Sequence, residues 1–279
     1  MTAVLLALLT ALVWGLANYL GPLLARVHPL GAILLAGQVV GAVGGLLLFV
    51  LAGAEAPDRR TVLLGIASGL ANGLALLTFY RAAAVGPISV VAPIGATGGV
   101  VPVLVAIAFG ERPSLLQLAG IPLAVVGVAL AAARSAPAEG SPAGRSGVGL
   151  SVLAAATFGT FLTLFAAASQ GGALPALATS RVAVLVGTVA VLVLARSPVR
   201  VPLRAVPKVA LPGLLLLVGT ASYGIATGTG LVSVVSVLAT LNPVVTVGLA
   251  VVVLGERLAP RQQVGVATAL LGVVLLAAG

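Results

Sequence analysis

The chain has no cysteine and very few charged residues. Only 7% of its 279 residues are charged, with five acids and a single His. The missing cysteine excludes disulfides, thiolate metal sites and cysteine nucleophiles. A soluble globular chain carries roughly 25% charged residues, so this chain has too few to cover a surface in water. Lipid is therefore its expected surrounding.

Aromatic residues are also scarce, at 4%, although 61% of the chain is hydrophobic. Ala, Val, Leu and Gly supply nearly all of the apolar content, which is typical of packed helices. The apolar runs show no alternation of polar and apolar residues, and backbone groups in lipid must be satisfied within their own segment. The sequence therefore predicts an all-α integral membrane protein.

No constellation for catalysis is present. The five acids all lie between apolar runs, and they are Glu55, Asp58, Glu111, Glu139 and Glu256. Without a cysteine or an acid inside a run, no nucleophile with a base, carboxylate pair or metal cluster forms. We expect no enzymatic activity, no cofactor and no metal. The net charge of +9 is spread singly between apolar runs, which excludes a nucleic-acid site.

Turn and charge signals divide the chain into ten apolar runs of about the 20 residues that a transmembrane helix needs. The runs cover 2–24, 30–52, 61–84, 87–109, 113–133, 147–169, 174–195, 207–228, 231–253 and 260–278. Only 134–146 reads as a flexible linker, because it is rich in Pro, Gly and Ser. It separates two predicted five-helix units, 1–133 and 147–279.

The two units resemble each other in sequence. The matches, in chain order, are Trp14-Gly15 with Phe158-Gly159, Gly86-Pro-Ile-Ser-Val-Val with Gly230-Leu-Val-Ser-Val-Val, Gly110-Glu-Arg with Gly255-Glu-Arg, and Gln117, Gly120 and Gly127 with Gln262, Gly265 and Gly272. Because each unit has five crossings, the second must enter the membrane from the opposite side. The fold is thus predicted as two inverted five-helix repeats, an arrangement typical of transporters with a midplane site.

These features resemble the EamA family of the drug/metabolite transporter superfamily. The Gly-Glu-Arg turn after the fourth helix of each repeat is similar to the family's motif, and so is the stretch from Leu241-Asn-Pro-Val-Val to Leu254-Gly-Glu-Arg-Leu. The resemblance spans essentially the whole chain. It implies export of amino acids or other small metabolites through a central cavity between the halves. It does not specify a substrate.

Polar and aromatic residues within the apolar runs are candidates for that cavity, because polar groups in lipid usually face a protein interior. The candidate substrate-binding residues are Trp14, Asn18, Gln38, Asn72, Thr97, Phe158, Arg181, Tyr223, Thr227 and Asn242. Simple helix packing, or a hydroxyl bond to the residue's own helix, is the alternative for several of them.

Arg181 is the most informative of these candidates, because it lies about two turns inside predicted run seven. One interpretation is that its forked guanidinium binds a substrate carboxylate or phosphate. The alternative is that it snorkels to the interface or caps helix carbonyls. Gln38 occupies roughly the equivalent position in the first half.

Helix breakers concentrate in predicted runs four and nine. Pro93, Pro102 and Pro243 interrupt these runs and are predicted hinges or breaks. A proline frees a carbonyl that could bond a substrate, although a passive kink explains it equally well. Glycines at 120, 127, 265 and 272 form either an internal contact or a dimer seam. A monomer and a homodimer therefore both remain open.

We interpret the chain as an alternating-access exporter of a small metabolite, such as an amino acid, in the bacterial inner membrane. Efflux of cationic drugs and a non-transporting scaffold are the alternatives. With no acid inside a helix, we expect passive or exchange transport rather than proton antiport, and Glu111 and Glu256 to cap a helix or pair with Arg112 or Arg257. Counting loop Lys and Arg alone places both termini outside, whereas the resemblance implies both inside. We favour the latter.

Overall fold

The computed structural model describes residues 1–25, 27–85, 94–95, 97–132, 144–254 and 259–279. Within these residues the chain is helical and contains no strand, which confirms the predicted all-α class. The helices are α1 (Thr2–Ala25), α2 (Leu30–Leu51), α3 (Arg59–Val85), α4 (Val100–Ala108), α5 (Leu115–Ala132), α6 (Gly144–Ser169), α7 (Ala173–Leu194), α8 (Val206–Thr229), α9 (Val232–Ala239), α10 (Asn242–Leu254) and α11 (Pro260–Ala278). Short 3₁₀ turns at Thr97–Gly99 and Leu203–Ala205 lead into α4 and α8.

Eight stretches of the described chain are long and apolar enough to cross a bilayer. One of them, Val232–Val253, contains both α9 and most of α10. Two shorter apolar stretches, Thr97–Ala108 and Leu115–Ala131, match predicted runs four and five. Positions 87–93 of run four lie outside the described residues. The chain is a multi-pass membrane protein, and the count of ten crossings stays a prediction.

The helix boundaries follow from local chemistry. The Asp58 carboxylate accepts a hydrogen bond from the Thr61 backbone nitrogen, at 2.8 Å, and so caps the first turn of α3. Hydrogen bonds from the Thr61 side chain and backbone, with the charge of Arg60, lower the pKa of Asp58. Gly172 has φ +116 immediately before α7, a conformation that L side chains rarely adopt.

The glutamine that recurs in the two halves, Gln117 and Gln262, makes the same hydrogen bond at the start of its helix in each half. The Gln117 side-chain oxygen accepts a hydrogen bond from the Ser114 backbone nitrogen at 2.9 Å, at the start of α5. The Gln262 side-chain oxygen accepts the equivalent bond from Ala259 at 3.0 Å, at the start of α11. Each glutamine thus satisfies a donor at the entry of its helix, which explains its recurrence.

The repeated glycines form a contact between the two halves. A Cβ placed on Gly120 would lie 2.9 Å from the Gly272 carbonyl oxygen, and one on Gly127 would lie 2.8 Å from that of Gly265. Gly120 therefore meets Gly272, the repeat counterpart of Gly127, and Gly127 meets Gly265, the repeat counterpart of Gly120. A two-fold axis between two antiparallel helices produces this reciprocal pattern. Small residues let the two backbones approach closely. The glycines thus serve internal packing in this structure.

A second reciprocal contact relates the two halves. A Cβ on Gly15 would lie 2.9 Å from the Asn242 carbonyl oxygen, and one on the matching Gly159 would lie 2.5 Å from the Gly98 carbonyl oxygen. Helix α1 therefore contacts the interrupted crossing of the second half, and α6 contacts that of the first. Likewise α1 packs along α8 and α3 packs along α6. The halves interlock rather than lie side by side.

Both ends of the described chain lie at one face of the bundle, here called the terminus side. The C-terminal Gly279 is next to Ser114 and Gln117 at the start of α5. Gly230, between α8 and α9, approaches Ala3 near the start of α1. The loop from α4 to α5 and the start of α9 therefore lie at this same face.

Candidate functional site

Aromatic side chains from three helices meet at the centre of the bundle. The Trp14 ring from α1 lies 6.0 Å from that of Phe158, 6.4 Å from that of Phe161 and 6.2 Å from that of Tyr223, measured between centroids. Phe165 continues the group, 5.9 Å from Phe161. These separations suit favourable edge and tilted ring contacts. Trp14 and Phe158, matched in the sequence repeat, thus meet where the two halves meet.

Hydrogen bonds hold the Tyr223 member of this aromatic cluster in place. The Tyr223 hydroxyl donates to the Leu162 carbonyl at 3.2 Å and shares a 2.8 Å hydrogen bond with Ser236. By contrast, the buried Trp14 indole nitrogen has no hydrogen-bond partner among the described residues. Buried polar groups are normally paired, so this indole N–H, which packs toward Gly219 of α8, is an exception.

Asn18 and Asn242 connect α1 to the break in the ninth crossing. The Asn18 amide donates to the Asn242 side-chain oxygen at 3.1 Å. Helix α9 ends at Ala239 and α10 begins at Asn242, so the crossing is interrupted immediately before Pro243. Asn242 is buried while Asn18 is exposed. The predicted break at Asn242-Pro243 therefore lies beside a polar pair.

In the first half, the corresponding interruption precedes α4. The Thr97 hydroxyl donates to the Ile94 carbonyl at 2.7 Å, and a Cβ on Gly98 would lie 3.2 Å from Phe158. Pro102 lies in the first turn of α4, where a proline displaces no intrahelical hydrogen bond. Pro93 lies outside the described residues. The 3₁₀ turn at Thr97–Gly99 leads directly into α4 and lies next to the aromatic cluster.

Arg181 contacts α8 at Thr220, one residue after Gly219 and three residues before Tyr223 of the aromatic cluster. It is 3% exposed, its Nη2 donates to the Thr220 hydroxyl, and its Nε has no partner among the described residues. Trp14 packs against the adjacent residue of α8, since a Cβ on Gly219 would lie 2.5 Å from the Trp14 indole nitrogen. Arg181 and the cluster therefore share α8 as a common wall.

The Arg181 side chain runs toward the middle of the membrane. Arg181 lies about 12 Å along α7 from its start, at 1.5 Å per residue. Its Cγ lies 3.5 Å from a Cβ built on Gly45 of α2, and its Cδ lies 3.3 Å from one built on Gly41. Gly41 is farther than Gly45 from the terminus side. The Arg181 side chain therefore points away from the nearer membrane interface, which lies on the terminus side, and does not snorkel to it.

The remaining candidates are placed differently. Gln38 is buried on α2, and its side-chain oxygen lies 4.0 Å from a Cβ built on Gly41, near Arg181. Asn72 is half-buried on α3. Thr227 is buried, and its hydroxyl donates to the Gly224 carbonyl of its own helix at 3.0 Å. Gln38 thus belongs with Arg181, whereas the Thr227 hydroxyl already has a partner within α8.

Several residues at the centre were not identified from the sequence. Phe161 and Phe165 follow Phe158 at helical spacing on one face of α6, so that spacing was an available signal. Ser236 and Thr220 carried no signal, because their partners are distant in the chain and serines and threonines are common in membrane helices. The sequence also did not locate a cavity of about 460 Å³ between α2, α3 and α7. It is lined by apolar side chains at the outer surface.

Comparisons with known proteins agree with this architecture. A model of the EamA-like transporter family matches residues 1–133 and 145–278. The crystal structure of another protein shares the fold with a TM-score of 0.80 and 17% sequence identity. That similarity covers 98% of this chain and 95% of the other. A search of curated proteins finds no match.

Proposed function

The chain belongs to the EamA-like transporter family, within the drug/metabolite transporter superfamily, whose members are membrane transporters rather than enzymes. From this premise we propose that it exports an amino acid or a similar small anionic metabolite by alternating access. The bacterial inner membrane is the proposed location. The proposed partners are a small-molecule substrate and the lipid bilayer. The proposed topology is ten crossings in two inverted repeats.

The uncompensated guanidinium of Arg181 is the main support for an anionic substrate. It is buried within the membrane-spanning region, and its Nε lacks a partner among the described residues. All acids of the sequence lie outside the apolar runs. A charge in this environment is costly unless it is paired. A substrate carboxylate would supply the missing charge and match the forked donor geometry.

The aromatic cluster supports a substrate that also has an apolar part or a ring. Trp14 and Phe158 come from the equivalent positions of the two halves, and their rings lie 6.0 Å apart. A site between repeats is accessible from each side in turn when the halves rock. We assign Trp14, Phe158 and Tyr223 to the apolar wall, with Asn18, Thr97 and Asn242 as polar contacts. Asn72 and Thr227 remain proposed contacts at its periphery.

Counterflow in proteoliposomes tests this proposal. Vesicles are preloaded separately with amino acids, purines, sugar phosphates and cationic dyes, and uptake of the labelled compound is followed. We expect accumulation of amino acids or another carboxylate class, reduced at least tenfold in Arg181→Ala and partly retained in Arg181→Lys. A tenfold loss corresponds to about 1.4 kcal/mol, close to the lower end of the roughly 1.5–3 kcal/mol for a hydrogen bond to a charged group.

Arg200→Ala is the matched control, because Arg200 is an exposed arginine between α7 and α8. It removes the same charge and should leave the flux unchanged. Normal carboxylate flux in Arg181→Ala would refute an anion-binding role for this residue. Saturable accumulation of cationic dyes would instead favour drug efflux. No flux of any class by folded protein would favour a membrane scaffold.

A further inference from the structure

The Gly-Glu-Arg turn at residues 110–112 has a structural basis at the end of α4. Gly110 has φ +99, and its nitrogen donates to the Ile107 carbonyl at 3.0 Å. The Glu111 nitrogen donates to the Ala106 carbonyl at 2.9 Å. These two bonds form a Schellman motif, which ends the helix and satisfies its last carbonyls. The motif leaves the Glu111 side chain projecting from the end of the helix.

That side chain crosses to the other half of the molecule. One Glu111 carboxylate oxygen accepts from the Val232 nitrogen at 2.6 Å. The other accepts from the Ser233 nitrogen at 3.0 Å and from the Ser233 hydroxyl at 2.6 Å. Val232 and Ser233 are the first residues of α9. Glu111 therefore caps a helix that lies about 120 residues later in the sequence.

Helix α9 depends on this cap from outside. The residue before it is Leu231, which makes no side-chain capping bond. The first N–H groups of a helix have no partner within the helix, and they attract negative charge. Because Leu231 has no acceptor, Glu111 of the first half fills that place. Of the two expectations for Glu111, capping a helix or pairing with Arg112, the structure shows the cap, and the capped helix belongs to the other half.

Helix α9 is also a separate piece of the ninth crossing. It has only eight residues and ends at Ala239, before the break that precedes α10. All of its residues from Ser233 to Ala239 are buried. It begins at the terminus side, beside the loop that contains Glu111. The end of α4 and the start of α9 therefore meet at the terminus side.

We propose that Glu111 is the latch that keeps the transporter closed at the terminus side. The Glu111 latch consists of the Glu111 carboxylate and the Val232 and Ser233 donors. Its three hydrogen bonds join the two halves here, and under this proposal they break when that side opens. Glu111 acts on the gate and does not contact the substrate, so it is a positioning residue. The inference rests on the alternating access proposed above.

Distance measurements between the halves test the latch without any substrate. The chain has no cysteine, so Leu116→Cys and Thr229→Cys can carry spin labels without background. Both residues are partly or fully exposed at the terminus side, on α5 and at the end of α8. In reconstituted protein with Glu111 intact, we expect one short distance population. Glu111→Gln should add a longer population, because an amide nitrogen cannot accept hydrogen bonds.

A second readout follows access to the buried helix. The native Val237 side chain is 1% exposed, so a bulky polar maleimide should label the Val237→Cys variant slowly. Glu111→Gln should increase that labelling rate severalfold, Ser233→Ala should give an intermediate rate, and Glu111→Asp should partly restore the slow rate. Glu55→Gln is the matched control, since it neutralises an exposed carboxylate near the same side.

The outcomes separate a latch from a simple helix cap. If Glu111→Gln lowers thermal stability but changes neither distance nor labelling, the carboxylate only stabilises α9 and the latch is wrong. If Glu111→Gln does not fold, unchanged distances and labelling in Ser233→Ala would equally overturn it. Neither the distance measurement nor the labelling measurement needs substrate flux. The test of the latch therefore stands even if the counterflow assay shows no transport.

Discussion

The indole N–H of Trp14 is a buried donor without a partner among the described residues. We expect Trp14→Phe to raise KM about tenfold while leaving kcat unchanged, because it removes one hydrogen bond of about 1.4 kcal/mol but keeps the ring. Counterflow at several substrate concentrations measures both constants. The control is Phe161→Leu, which changes the cluster without removing a donor. An unchanged KM in Trp14→Phe would show that the substrate does not use this N–H.

The hydrogen bond between the Asn18 and Asn242 side chains is one of the links between the two halves. We expect a double-mutant cycle with Asn18→Ala and Asn242→Ala to give a coupling of about 0.5–1.5 kcal/mol in the free energy of unfolding, the usual value of one such bond. Unfolding in mixed detergent provides the measurement. Strictly additive losses would mean that the two amides act independently.

The Arg181 side chain illustrates what sequence alone supplies at this scale. Its position two turns inside a helix left substrate binding and snorkelling as alternatives, and the structure places it 3% exposed. Its direction could not be predicted, because that depends on where Gly41 and Gly45 of another helix face. Distant partners such as Glu111 and Ser233 were hidden for the same reason. Pairing across about 120 residues requires the fold first.

Among the elements, the contact between α5 and α11 is the clearest to test. We expect Gly127→Ala to lower the free energy of unfolding by about 1–3 kcal/mol, because its methyl group would meet the α11 backbone near Gly265. Thermal unfolding in detergent measures the effect. Gly149→Ala on α6 is the control, since a Cβ there meets nothing within 4 Å. Equal stability of both variants would contradict tight packing at this contact.

Most of the helix boundaries could be predicted from proline, glycine and charge. The end of α2 and the start of α7 fall within two residues of the expected positions, at Leu51 and Ala173. The predicted start of α6 at 147 was three residues late, since the helix begins at Gly144. Composition suggested a linker there, but a helix tolerates glycine and serine in its first turn. The split between α9 and α10 was anticipated from Asn242-Pro243.

For the whole molecule, the first question is which side of the membrane the termini occupy. We expect both in the cytoplasm, following the family, although the loop charges taken alone favour the opposite side. Alkaline phosphatase fused to the C-terminus should be inactive and green fluorescent protein fused there should be fluorescent. The reverse pattern would show that the arginine-rich loops determine the orientation, and the Glu111 latch would then close the outer side.

The energy source for transport is also a property of the whole molecule. Because no acid of the sequence lies within an apolar run, we expect a pH gradient not to drive uptake into vesicles that lack internal substrate. Exchange should proceed at equal rates with and without the gradient. Proton-driven uptake would contradict this expectation, and if Glu111→Gln abolished it while leaving exchange intact, that acid would couple protons to transport.

The reciprocal glycine contacts bear on the ancestry of the chain. Gly120 meets Gly272 and Gly127 meets Gly265, so each half contributes the same surface to the contact. A five-helix ancestor inserted in both orientations would already have possessed a self-complementary interface. Gene duplication and fusion would then have joined two existing partners without altering the surface between them. Once fused, the halves were free to diverge, and Trp14 opposite Phe158 is one such divergence at the centre.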